Sequence, residues 1–106
     1  MPKFLALASL TTEGIKVLAQ QGGSKRRDAI ANMYKKMGGK LEVYCYAFGE
    51  YDVVAIGDVP DNAAAAAMSL AINSSGLANT KTILLMTPEE MDKVTKVTVD
   101  YTPPKA

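Results

Sequence analysis

Apolar and polar residues alternate between residues 40 and 59, and this pattern predicts a β-hairpin. Two strands, residues 41–48 and 53–59, flank the tetrapeptide Gly49, Glu50, Tyr51, Asp52. Gly49 tolerates a positive φ angle and Asp52 can hydrogen-bond nearby backbone groups. A short loop between antiparallel strands is therefore expected.

The first strand of this hairpin has two faces that both need cover. Side chains alternate with period two, so the pattern predicts one aliphatic face, Leu41, Val43, Cys45 and Ala47, and one face rich in aromatic residues, Glu42, Tyr44, Tyr46 and Phe48. Cys45 is the only cysteine. On the aliphatic face it is expected to be a buried, unreactive side chain.

The rest of the chain alternates between predicted strands and helices. Strands are predicted at residues 3–10 and 81–86, and helices at residues 12–20, 63–74 and 91–96. A further helix of about 14 residues is expected to be capped by Ser24 and ended by Gly38. Thr87, Pro88 and Glu90 predict a capping box before the last helix. Residues 1–98 are interpreted as one domain, and residues 99–106 as an extended tail.

This order of elements is typical of the α+β class with a ferredoxin-like βαββαβ fold: a four-stranded antiparallel sheet with its helices on one face. The strands are apolar on both sides, as Phe4 and Ala6 against Leu5 and Leu7 illustrate. Because the chain is too short to build a second layer, the bare face is expected to meet another subunit. We therefore expect a homodimer or higher homo-oligomer of the dimeric α/β barrel type.

Composition narrows the possible functions. The 106 residues carry 12 basic and 11 acidic side chains, a net charge of +1, which provides no long-range attraction for nucleic acid. No apolar stretch approaches the roughly 20 residues that span a bilayer, and no secretory cleavage pattern is seen, so no membrane partner and a cytoplasmic location are expected. The chain contains no histidine. Histidine-dependent catalysis and histidine metal sites are thereby excluded, and neither a metal nor a cofactor is expected.

Several motifs together resemble the GYD domain family, a bacterial family. They include Met1 to Lys3, Thr11 to Gly14, Gly22 to Arg27, Phe48 to Ile56 with the tetrapeptide, Pro60 to Asn62, Thr87 to Glu90, and Asp100 to Pro104. The resemblance implies a small ferredoxin-like domain of the dimeric α/β barrel type. It leaves the activity open.

Two groups of residues are candidates for ligand binding. Ser24, Arg26 and Arg27 stand at a predicted helix start, where backbone N–H groups and positive charge attract anions. The favoured alternative is a solvated cluster in which the basic side chains pair with Asp28 or with acids of another subunit.

The second group, Tyr44 and Tyr46, could line a small-molecule pocket. The pattern favours the alternative that these tyrosines fill a subunit interface. RNA stacking is disfavoured because no basic companion motif accompanies the aromatic residues.

Asp52 and Tyr51 are the catalytic candidates, because a carboxylate beside a phenol can transfer protons. Turn chemistry is the favoured alternative for this pair. The sequence as a whole predicts a homo-oligomer that binds a small anionic or aromatic ligand between its sheet and its helices. A cofactor-independent isomerase or monooxygenase-like enzyme and a purely structural oligomer are the alternatives, the former by analogy of fold alone.

Overall fold

The computed structural model describes residues 1–105 and has an α+β fold with one four-stranded antiparallel sheet. Its elements are β1 (Lys3–Leu10), α1 (Thr12–Gln21), α2 (Gly23–Lys36), β2 (Lys40–Tyr46), β3 (Val53–Asp58), α3 (Asn62–Ser74), β4 (Ala78–Leu85) and α4 (Pro88–Val94). The strand order is β2-β3-β1-β4. This is the strand order of the predicted ferredoxin-like arrangement.

Side-chain caps begin three of the four helices. The Thr11 hydroxyl accepts from the Gly14 N–H, the Asp61 carboxylate accepts from the Ala64 N–H, and the Thr87 capping box is present as predicted.

The start of α2 differs from the prediction. Its N-cap is Gly22 and makes no side-chain hydrogen bond, so the predicted Ser24 cap is wrong. Gly22 has φ +85°, a left-handed conformation that glycine adopts without a steric penalty. The chain can therefore turn from α1 into α2 at a single residue, and Ser24 falls inside the helix.

One face of the sheet packs against the helices. α2 packs on β2, α3 on β4, and α1 on both β1 and α2. A buried cluster lies between the sheet and the helices and consists of Phe4, Tyr34, Val59, Ala65 and Met68. Because strand side chains alternate, the even-numbered residues of β1 lie on this side and Leu5 and Leu7 lie on the other.

A β-bulge in β2 changes the predicted pattern of faces. The register with β3 shifts between Leu41 and Val43, and an extra residue in a strand reverses its alternation. Leu41 therefore packs against the buried cluster, whereas it was expected to share a face with Val43. Cys45 is exposed, so its predicted burial is wrong for the single chain.

Two further details of the strands depart from the pattern. The left-handed glycines are Gly22, Gly38 and Gly76, so Gly49 does not use the positive φ angle expected of it. β4 begins at Ala78 rather than at residue 81, because it pairs with β1 as far as Leu10. Asn79 and Thr80 in this early part are polar, so residues 78–80 show no apolar strand pattern. Their pairing with β1 makes them part of the strand.

The face of the sheet away from the helices is uncovered in the single chain. We call it the open sheet face; it includes Leu5, Leu7, Val43, Val54, Ile56 and Ile83. Val43 and Ile83 are 40% and 45% exposed. An apolar sheet face of this kind is usually covered by another layer.

The C-terminal segment extends away from the body of the domain. α4 contains no buried residue, and Val97, Val99 and Tyr101 beyond it are exposed. The radius of gyration is 17.0 Å, against about 13 Å for a compact domain of this length. Residues 99–105 form neither helix nor strand, and Ala106, the last residue of the predicted tail, lies outside the described residues. Within residues 1–105, none of the helices has the length and apolar character needed to cross a bilayer.

Candidate ligand-binding site

A cavity of about 360 Å³ lies between the sheet and the helices. Small-molecule sites typically enclose about 300–1,000 Å³. The floor is formed by residues of the sheet, and the walls by one side of α1, α2 and the end of α3. Its aliphatic lining includes Ala6, Ala8, Val17, Leu18, Ile30, Met33, Val53, Ala55, Ile72 and Leu77.

Small residues in the central strands create this space. Ala6 and Ala8 of β1 and Ala55 of β3 form the floor, where larger side chains would fill the gap beneath the helices. Beside the cavity, α1 lies directly against the chain before β4. Gly14 lies so near the Leu77 carbonyl that a Cβ atom would be 2.0 Å from its oxygen. This close approach requires glycine at residue 14.

Arg26 stands in the cavity wall. It precedes Ile30, Met33 and Tyr34 on one side of α2, because residues three, four, seven and eight apart share a helix side. Its side chain makes no ion pair or hydrogen bond with any residue in the described part of the chain. An arginine that is half-buried and lacks an acidic partner is a strong site for an anion.

The other two residues of the predicted anion cluster lie outside the cavity. Arg27 is exposed, and its Nε donates to the Asp28 carboxylate at 3.1 Å. This pairing is the solvated arrangement that was favoured for the cluster. Ser24 is also exposed and does not line the cavity. Of the three, Arg26 alone is in reach of a ligand bound there.

Tyr44 and Tyr46 line the cavity from β2, with their rings edge to face and the ring centres 5.4 Å apart. Both rings lie on the side of the sheet that the helices cover, and the favoured interpretation that they fill a subunit interface stays a prediction. The Tyr46 hydroxyl donates to the Gly23 carbonyl at 3.0 Å, which ties β2 to the start of α2.

Burial and, secondarily, the neighbouring Tyr46 raise the pKa of Tyr44 well above its usual value, while the Arg26 charge acts in the opposite direction. Tyr44 is therefore a neutral phenol at physiological pH, able to donate a hydrogen bond beside the Arg26 charge.

Tyr34 contributes a polar group that the sequence pattern did not reveal. It is only 6% exposed and borders the cavity, and burial raises the pKa of its phenol. Its spacing from Ile30 and Met33 is typical of a buried helix side and says nothing about its hydroxyl. The informative feature is the residue type, because a buried tyrosine brings a hydroxyl that phenylalanine would not and that needs a partner.

The catalytic candidates lie elsewhere. The Asp52 carboxylate accepts from the Leu10 N–H at 2.8 Å, and the Lys81 Nζ lies 5.5 Å from the centre of the Tyr51 ring. Neither Asp52 nor Tyr51 lines the cavity. The Asp52 carboxylate thus bonds an amide of β1 and not an amide of its own loop, and Tyr51 lies beside β4. Among residues 1–105, no cluster of three or more cysteine or acidic side chains is arranged to hold a metal ion.

Comparison with known proteins identifies the family. Residues 4–95 match the model of the GYD domain, so the match spans most of the chain and includes every element from β1 to α4. Neither the curated proteins nor the solved structures include a significant match to the chain. The chain belongs to the GYD domain family.

Proposed function

We propose that this protein binds a small carboxylate with an apolar or aromatic body in the cavity between its sheet and its helices. The observation that carries the proposal is Arg26, a cation without an acidic partner in the wall of a mostly apolar cavity. Withdrawing an unpaired charge from water is unfavourable, and a bound anion compensates for that loss.

A carboxylate fits the chemistry of this wall. The guanidinium group can donate two parallel hydrogen bonds to a carboxylate, and the neutral Tyr44 phenol beside it can donate another. No acidic side chain lines the cavity to compete with the ligand. Beyond Arg26, the alanine floor and the aliphatic walls suit a hydrocarbon or aromatic body.

Binding is better supported than catalysis. A cofactor-independent enzyme needs a titratable group within hydrogen-bond reach of the reacting proton. The lining contains no carboxylate, and the Asp52 carboxylate is engaged with the Leu10 amide outside the cavity. The enzymatic alternative would therefore depend on the phenols of Tyr34, Tyr44 and Tyr46.

We also propose that the protein is a homo-oligomer that associates through the open sheet face. The apolar residues of that face and the exposed apolar residues of the C-terminal segment support this proposal.

The ligand proposal is tested by comparing Arg26→Ala with Arg27→Ala in titrations with phenylbutanoate and with its neutral amide. The two arginines are adjacent, but Arg27 is exposed and lies outside the cavity. Because a charge-assisted hydrogen bond contributes about 1.5–3 kcal/mol, Arg26→Ala should weaken carboxylate binding by at least about tenfold. Affinity for the amide should change little, and Arg27→Ala should resemble wild type.

Two results would contradict the proposal. Equal loss of carboxylate binding in both variants would make the anion contact a general effect of surface charge. Absence of binding by wild-type protein, across a library of carboxylates and phenols, would favour the structural-oligomer alternative.

A further inference from the structure

We infer that the Tyr34 hydroxyl selects ligands that carry an oxygen atom at the end remote from their carboxylate. The expected class is an aromatic monocarboxylate with a hydroxyl or carbonyl oxygen at the far end of its ring. This inference rests on the proposed function, and it identifies a residue that would decide which carboxylates are preferred.

The first step is the free hydroxyl of Tyr34. The residue is 6% exposed, and its hydroxyl makes no hydrogen bond with any residue in the described range. The hydroxyl oxygen is not among the buried polar atoms that lack a partner, so it is in contact with open space. Because Tyr34 lines the cavity, a group bound there can take the place of water as its hydrogen-bond partner.

The second step is its place in the cavity. Tyr34 also borders a second, smaller cavity of about 40 Å³, which shares Ala6, Ile72 and Thr80 with the larger one. The Thr80 hydroxyl is already engaged, lying 3.0 Å from the Ser69 hydroxyl and 3.1 Å from the Asn73 side-chain oxygen. Tyr34 is thus a polar group of the shared lining whose hydroxyl makes no hydrogen bond within the described residues.

The third step is the separation of the two polar groups. Arg26 and Tyr34 are eight residues apart on α2, which corresponds to about 12 Å along the helix axis. Aliphatic side chains, Ile30 and Met33 among them, line the wall between them. A ligand that contacts both needs an anionic head, an apolar middle and an oxygen at its far end.

The fourth step is the restraint on the Tyr34 ring. Gly57 of β3 faces it, and a Cβ atom at that position would lie 2.5 Å from the ring Cε2. The ring is therefore seated directly against the backbone of the sheet, within the buried cluster that includes Phe4 and Met68. A hydroxyl held in one position discriminates between ligands better than a mobile one.

The test uses phenylbutanoate derivatives that differ only at the para position of the ring, where one carries a hydroxyl and the other a methyl group of similar size. Wild-type protein should bind the hydroxyl derivative about tenfold more tightly, since one net hydrogen bond is at stake. In Tyr34→Phe the preference should disappear, while affinity for the methyl derivative is retained. Tyr101→Phe is the control, because this tyrosine is 70% exposed and does not line the cavity.

The outcomes separate this inference from the proposed function. Equal binding of the two derivatives by wild type would overturn the role of Tyr34 and leave the carboxylate site standing, and this comparison requires no variant. A preference that persists in folded Tyr34→Phe would also overturn it, as expected if an ordered water satisfies the hydroxyl. If neither derivative nor phenylbutanoate binds wild type, the proposed function and this inference both fail.

Discussion

Asp52 joins three strands through one residue of the tetrapeptide. Its N–H donates to the Ala8 carbonyl at 2.8 Å, and its carbonyl accepts from the Ala47 N–H at 2.9 Å. Its carboxylate accepts from the Leu10 N–H at 2.8 Å. Asp52 immediately precedes β3, so its side chain extends the hydrogen bonding between β1 and the hairpin beyond the first residue of β3, and this role is structural.

Replacement of Asp52 should therefore affect stability. Asp52→Ala leaves the partly buried Leu10 N–H without an acceptor and should lower the free energy of unfolding by about 1–3 kcal/mol. Asp52→Asn keeps an acceptor oxygen and should lose less. Urea denaturation measures both values, and equal stability of Asp52→Ala and wild type would contradict the structural role.

Gly57, within β3, and Gly49, in the loop before β3, should respond in opposite ways to substitution by alanine. At Gly57 a Cβ atom would lie 2.5 Å from the Tyr34 ring and 2.7 Å from the Lys40 carbonyl oxygen, whereas at Gly49 nothing lies within 4 Å. Gly57→Ala should cost about 1–3 kcal/mol through overpacking. Gly49→Ala should be neutral or stabilising by less than about 1 kcal/mol. Thermal unfolding distinguishes the two, and a severe loss in Gly49→Ala would show that the tetrapeptide needs its glycine for another reason.

At the scale of elements, local chemistry predicted the helices better than the strand boundaries. The capping box at Thr87 depends on residues three apart, and it was foreseen. The bulge near Leu41 and the early start of β4 depend on how one strand pairs with another. A period-two pattern carries no information on such pairing, so these features could not be predicted from the sequence.

The capping box predicts how α4 responds to pH. Hydrogen bonds with Thr87, the backbone N–H first, lower the pKa of Glu90 below its usual 4.5. A lowered folded-state pKa stabilises the helix above the unfolded value, and this contribution is lost as the pH falls through the lowered value. The Thr87 amide resonance should therefore shift as Glu90 becomes protonated, and the midpoint of this shift should lie below the usual pKa of a glutamate.

Glu90→Gln is the matched control for this titration. Its amide oxygen can still accept from the Thr87 N–H, but it does not titrate, so the resonance should remain constant over the same pH range. A shift of equal size in the variant would show that another acid is responsible.

At the scale of the whole molecule, the order of the predicted elements was enough to predict the fold, but it did not show which side chains line the cavity. The ligand position between sheet and helices was expected, and Arg26, Tyr44 and Tyr46 do line the cavity there. Arg26 and Arg27 separate because consecutive residues of a helix point in different directions, and only Arg26 shares the side of α2 that carries Ile30. Tyr34 was missed because helical spacing distinguishes core from surface and does not reveal an unpaired hydroxyl.

Association through the open sheet face predicts a contrast between two aspartate variants. Val54 lies on that face, and Ile15 is an exposed apolar residue of α1, 46% accessible. Val54→Asp would bury an unpaired carboxylate between subunits and should dissociate the oligomer, whereas Ile15→Asp should leave it intact. Sedimentation equilibrium measures both. A wild-type monomer at micromolar concentration would contradict the proposal.

The most direct test of the account is methyl NMR of the wild-type protein during titration with phenylbutanoate, because neighbouring residues of one strand report on opposite faces. Binding in the cavity should shift the methyl resonances of Ala6, Ala8 and Ala55, which line it. The resonances of Leu5, Leu7 and Val54 on the open sheet face should change little. The reverse pattern, or shifts of equal size on both faces, would contradict a ligand site between the sheet and the helices.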